Sequence, residues 1–228
     1  MSRDDASEYI VRFSYWSRLQ HATVILLFGV LLLTGMPQKW PGLEASQWIV
    51  DHLGGLGAAR WLHRAAGVAF AGLLVSHLTV AIIGVTTRRT RPSMLLSRRD
   101  FSDAIDNLKY YAGILDTPPK FGRFDYRQKF EYWGLVFGGL IMVVTGFILF
   151  YPILISRVLP AELIPAAKVM HSYEALLALL IVIVWHLTGA HLAPESFPMD
   201  TSIFTGKIRK EKLRHEHALE YEDLFGGP

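Results

Sequence analysis

The sequence predicts an all-α protein, an integral membrane four-helix bundle with both termini cytoplasmic and short interfacial helices between the spans. Three observations lead there. Of 228 residues, 51% are hydrophobic, and they concentrate in four blocks, at roughly 16–36, 61–85, 132–155 and 171–193. Each block can cross a hydrocarbon core, which needs about 20 apolar residues. Apart from Arg18, Arg64 and Glu174, all close to block ends, the blocks carry no charged side chain. A core helix of a soluble protein shows a polar stripe instead. The third observation is the placement of Lys and Arg. Arg3, Arg12 and Arg18 precede the first block, ten more lie in 88–129 and five in 207–214. The opposite side has Lys39, Arg60, Arg64, Arg157 and Lys168. Eighteen against five assigns both termini and the long middle loop to the cytoplasm. The net charge of +3 follows from this topology, and no nucleic-acid motif accompanies it.

The elements follow in order. The N-terminus is polar and mixed in charge, and the first block ends in Thr34-Gly35-Met36-Pro37 without an Ala-x-Ala pattern. It reads as a retained signal anchor. Pro41-Gly42 then turns the chain, and Leu43, Trp48, Ile49 and Leu53 suit a short interfacial helix on the outer side. In the middle loop Phe101, Ile105, Leu108, Ala112 and Leu115 recur at helical spacing. They predict an amphipathic helix over 101–115 at the cytoplasmic interface, capped by Asp100 or Ser102 and ended by Pro118-Pro119. A helix that packs on the bundle fits the same spacing. Residues 159–170, with Pro160 and Pro165, read as an outer-side connection. The four-span membrane domain is expected over 1–200. The charged tail, 201–228, reads as a solvated helix or docking strip.

There is no cysteine. That excludes disulfides, cysteine-ligated iron–sulfur clusters and covalent haem attachment, so any electron carrier must be held by other side chains.

Five of the nine histidines fall within or at the edge of the blocks: His21, His63, His77, His171 and His186. A lone intramembrane histidine reads equally well as an interhelical hydrogen bond. Five call for a joint explanation, because ionisable groups at membrane depth are costly. His63 and His77 are 14 residues apart, His171 and His186 are 15. On an α-helix these steps return to within about 60° of the same face and rise about 21 to 23 Å. Two such helices create two levels, and neutral imidazole is a standard axial haem ligand. Two stacked b haems follow, and a third is conceivable. Zinc fits less well, since one ion wants three or four ligands at a single level. His21 lies at about the depth of His77 and His186, and spacing does not choose between His21 and His77 as the partner of His186. Gly29, Gly35, Gly67 and Gly189 suit either a macrocycle or bare helix packing. Arg12, Arg18 and Arg64 fall at the levels of haem propionates, or anchor the interface.

With these residues in hand, the chain resembles the family of respiratory cytochrome b subunits. That family includes the gamma subunits of membrane formate dehydrogenases and the cytochrome b subunits of nickel–iron hydrogenases. The chain also looks like the cytochrome b partners of multihaem c-type cytochromes. The resemblance covers nearly the whole chain. It rests on Arg18-Leu19-Gln20-His21 with Leu33-Thr34-Gly35-Met36-Pro37, and on Leu62-His63-Arg64-Ala65-Ala66-Gly67. It continues in Phe124-Asp125-Tyr126-Arg127-Gln128-Lys129-Phe130-Glu131-Tyr132-Trp133 and Thr145-Gly146, then His171-Ser172-Tyr173-Glu174-Ala175 and His186.

The resemblance implies that His63 pairs with His171 at an outer haem, with Arg64 beside it, and His21 with His186 at a cytoplasmic haem. It also implies a quinone site, for menaquinone or ubiquinone, near the start of the third span, around Asp125, Gln128 and Lys129. The formate-dehydrogenase branch has Asn-Ala-Gly-Gln-Lys where this chain has Asp125-Tyr126-Arg127-Gln128-Lys129. His77 is not a ligand in that branch, and His191 is likewise additional. His191 reads as a quinone contact, a proton carrier, an axial ligand to a further haem with His77, or a structural interface residue. The implied function is a membrane cytochrome b subunit of a respiratory oxidoreductase complex in a bacterial or archaeal cell membrane. It passes electrons between the quinone pool and an outer-side c-type multihaem cytochrome or iron–sulfur subunit. The alternative from the residues alone is a haem-free membrane anchor or a proton-relay transport protein.

Overall fold

In the computed structural model residues 8–192 and 196–226 are described. Arg3, Ala193 and the central residues of the 191–200 motif lie outside the described residues. The order is β1 (Tyr9–Val11), α1 (Tyr15–Lys39), α2 (Glu44–His52), α3 (Leu56–Thr86), α4 (Arg98–Tyr111), α5 (Tyr126–Phe150) and α6 (Pro152–Ile155). Then come α7 (Leu163–Leu180), a π-helical stretch (Ile181–Leu192), α8 (Ser202–Thr205), β2 (Lys207–Arg209), α9 (Lys210–Glu216) and α10 (Ala218–Phe225). The described chain is helical but for one two-stranded ribbon.

Four helices are long and apolar enough to span a membrane: α1, α3, α5 and Leu163–Leu192. Very little of each is buried within the protein, as lipid-facing helices require when every backbone group is already paired inside its own helix. All four spans begin earlier than the hydrophobic blocks predict, the third and fourth by the most. The third opens at Tyr126 because Asp125 caps it: the Gln128 amide donates to Asp125 Oδ1 at 2.9 Å and the Asp125 amide donates to Gln128 Oε1 at 3.2 Å. The fourth opens at Leu163, ahead of His171, because Pro165 falls in its first turn, where the missing N–H costs nothing. The 159–170 connection is therefore partly helix. Gly54 and Gly55, at φ of 89° and 93°, make the turn from α2 into α3 that residues with a Cβ rarely adopt.

The chain divides into two compact units. One comprises Leu19–Ile82 and Leu135–Met199 and holds the intramembrane histidines. The other comprises Met1–Arg18, Ile83–Gly134 and Asp200–Pro228. In this second unit β1 pairs antiparallel with β2, Tyr9 opposite Arg209, Ile10 opposite Ile208 and Val11 opposite Lys207. The reading of the tail as a solvated helix is corrected here, since Ile208, Leu213, His217 and Glu220 are all buried. Arg12 explains the closure. Its guanidinium donates to Glu220 Oε2 at 2.6 Å and to the Arg123 carbonyl at 2.6 Å, and Arg123 returns a bond to the Arg12 carbonyl. Arg12 is thereby engaged as a structural cross-link, which replaces its reading as a propionate contact.

Candidate functional site

Two histidine pairs form inside the first unit. His63 on α3 and His171 on α7 bring their ring centres to 6.2 Å, at 75° between planes. Each ring is held at Nδ1 by a threonine on a neighbouring helix. Thr34 Oγ1 on α1 lies 2.9 Å from His63 Nδ1, and Thr145 Oγ1 on α5 lies 2.9 Å from His171 Nδ1. Both hydroxyls donate to a carbonyl one turn back, Val30 and Ile141, at 2.6 Å each. A hydroxyl has one proton to give, so each threonine must accept from the imidazole. The proton therefore sits on Nδ1, and the Nε2 lone pair is left for a metal.

The residue after each threonine is glycine. A Cβ on Gly35 would stand 3.0 Å from His63 Cε1, and one on Gly146 would stand 3.3 Å from His171 Cε1. A methyl group at either position would press on the ring. Thr-Gly is thus one device used twice: the hydroxyl aims the imidazole and the missing Cβ makes room for it. Both dipeptides stand in the motifs of the sequence, but the role of each depends on a ring from another helix. Their recurrence one to each of two spans was the available signal.

The second pair is His21 on α1 and His186 on the π-helical stretch, with ring centres 6.2 Å apart and planes at 45°. His77 Nδ1 lies 3.3 Å from Gln20 Oε1. The spacing argument for the fourth span assumed an unbroken α-helix. The change of helix type at Ile181 alters both rotation and rise, so the 15-residue step does not describe this span. Along α1, His21 and Thr34 are 13 residues apart, which separates the two levels by about 20 Å.

These pairs can be tested against haem. An imidazole nitrogen sits about 2 Å from a metal it ligates, and the ring centre lies about 1 Å further on. Two imidazoles on opposite faces of one iron therefore have centres about 6 Å apart, and both pairs meet that separation. Among the described residues no group of three or more His, Cys, Asp or Glu converges as a metal site, so a zinc centre has no donor set. The residues fit bis-histidine haem.

The remaining expected residues fall as follows. The Arg64 guanidinium lies over the Phe150 ring at 4.9 Å. His191 lies near the end of the π-helical stretch. In the other unit Asp125 and Gln128 form the cap of α5, and Arg127 donates to Asp125 Oδ2 at 2.7 Å. Lys129 is buried and donates to both oxygens of Asp100, at 2.7 and 2.9 Å.

A four-span helical bundle with histidine pairs inside it is the architecture of a membrane electron-transfer protein of the cytochrome b class. The sequence model of prokaryotic cytochrome b561 matches residues 12–197, and the chain belongs to that family. Its cofactor is haem b. Among curated proteins it is similar to the nitrate-inducible formate dehydrogenase cytochrome b556(Fdn) subunit of Escherichia coli K12, 21% identical over 219 residues, covering 96% of this chain and 93% of that one. It is also similar to the formate dehydrogenase cytochrome b556(fdo) subunit of the same strain, 26% identical over 221 residues, covering 94% and 93%.

Proposed function

We propose that the protein is the cytochrome b subunit of a respiratory oxidoreductase complex in a bacterial or archaeal cell membrane, carrying electrons across the bilayer through two haems. The relatives are named as subunits of formate dehydrogenase, which supports membership of a larger complex. His63 and His171 would hold the haem nearer the outer face, with Arg64 close by, and His21 and His186 the haem nearer the cytoplasm. Bound haem b exchanges single electrons at its iron. The chain's own part is to present two Nε2 lone pairs per haem, to fix each ring, and to keep water out with lipid-facing apolar helices.

The remaining assignments belong to the same reading. Residues 1–200 form the haem-binding domain, and 201–228 a charged cytoplasmic tail. Electrons pass between an outer-side redox subunit, a c-type multihaem cytochrome or an iron–sulfur protein, and menaquinone or ubiquinone. Quinone contacts fall among Asp125, Gln128, Lys129 and His191. Of these, Asp125 and Gln128 also serve the helix cap, and Lys129 is held by Asp100.

The observation that carries the reading is the 6.2 Å ring separation in both pairs. The test is haem counting by pyridine haemochrome against protein mass. Two haems per chain are expected, a haem-free anchor predicts no b-type band, and a count of three would bring in His77 and His191.

A further inference from the structure

The middle-loop helix α4 is folded inside out. Its buried face is polar. Asp100, 7% exposed, and Asn107, 3% exposed, turn inward. Asp100 accepts from Lys129 at both oxygens, and Asn107 Nδ2 donates to the Tyr126 hydroxyl at 3.0 Å. Burial pushes the Asp100 carboxyl up, but the bonds from Lys129 and from the Ser97 hydroxyl and amide outweigh it and hold it below its ordinary value. The opposite face is apolar and uncovered: Phe101 is 66% exposed, Ile105 56% and Leu108 70%. Tyr111 and Ile114 extend the same stripe. In water this arrangement is upside down, since an amphipathic helix turns its apolar side inward.

The latch sets the depth of that stripe. Tyr126 and Lys129 occupy the first turn of α5, a spanning helix, so α4 is fastened at the level where that span leaves the hydrocarbon. The chain before it is tied one turn deeper, where Trp133 Nε1 donates to the Met94 carbonyl at 2.9 Å. That chain, 87–99, contains Arg88, Arg89, Arg91, Arg98 and Arg99 and no acidic residue, and all five arginines are exposed. Arg91 lies 3.7 Å from Asp223 and Arg99 3.6 Å from Asp103, which leaves Arg88, Arg89 and Arg98 beside an apolar stripe at interface depth, a combination that matches an anionic leaflet.

We propose that α4 is a membrane-surface anchor: Phe101, Ile105 and Leu108 enter the acyl boundary, Arg88, Arg89 and Arg98 engage anionic headgroups, and the Asp100–Lys129 pair locks the helix to α5. The expected amphipathic helix thereby gains its occupant, the lipid itself.

The absence of cysteine permits a direct test. Ile105→Cys and Leu108→Cys are labelled with a fluorophore in the haem-loaded protein, each with its visible band intact, in nanodiscs of phosphatidylcholine with or without phosphatidylglycerol. Quenching by brominated lipid should exceed quenching by aqueous iodide by about threefold or more, as for a face sunk into the interface. It should increase when phosphatidylglycerol is present, and Arg89→Gln with Arg98→Gln should reduce that increase. Iodide access without lipid quenching would overturn the anchor. Shielding from both quenchers would overturn it in favour of a protein partner. Equal lipid quenching in the two mixtures would overturn the headgroup contact.

Discussion

His63 and His171 in the membrane unit and His217 in the tail are all histidines held by hydrogen bonds, yet they are held for opposite ends. His63 and His171 are fastened at Nδ1 by Thr34 and Thr145. His217 is fastened at both nitrogens: Nδ1 donates to the Gly122 carbonyl at 2.7 Å, and Nε2 lies 3.0 Å from the Arg12 guanidinium, from which it must accept. A ring satisfied on both sides has nothing left for a metal and serves as mortar. A ring satisfied on one side is pre-aimed for a ligand on the other. The difference separates His63 and His171 from His217.

The sharpest way to break the comparison is to remove the rings. His63→Ala or His171→Ala should eliminate one whole haem, and His217→Ala none, by pyridine haemochrome. His77→Ala should also leave two low-spin haems. Haem loss on changing His217, or full retention on changing His63, would end the distinction drawn here.

The next effect is on stability. Glu220 and Arg12 are a buried pair, and removing one partner strands the other charge at a cost of about 3–5 kcal/mol. Glu220→Ala should therefore release the tail, seen as rapid hydrogen exchange or proteolysis within 205–226, while both haems stay bound.

A slightly smaller effect comes from pH. Burial, then the neighbouring Arg12 charge, pushes His217 down from 6.5 to about 4. The folded form thus prefers the neutral ring. Its contribution is complete above pH 6.5 and is lost as pH falls from there towards 4, a loss of about 3 kcal/mol. Tail exchange should accelerate across that window in the native protein, and His217→Gln should flatten the dependence.

The finest test is Thr34→Val or Thr145→Val. Each removes one hydrogen bond, of about 1 kcal/mol, equivalent to about 40 mV for one electron. Loss of the acceptor makes the imidazole less basic, so the potential of the corresponding haem should rise. Thr→Ser should restore it. Redox titration with electron paramagnetic resonance reads this independently of turnover, and an unmoved potential would reduce Thr34 and Thr145 to packing residues.

Much of this was legible in the chain. A hydrocarbon environment forces every backbone group to pair within its own helix, so composition alone marks the four spans and makes any histidine inside them conspicuous. The two levels follow from helical rise. The rest depends on how helices are rotated against one another. Thr34 reaches His63 across 29 residues, Thr145 reaches His171 across 26, and Arg12 reaches Glu220 across 208. Hydropathy expected α4 and its apolar stripe, but which side faces the protein was decided by Lys129 and Tyr126, which bind its polar face. The nearness of His21 to His186 was decided in the same way. Local spacing constrains depth along one helix, whereas the identity of a neighbour is set by side-chain contacts between distant segments, and those form only when the whole bundle packs.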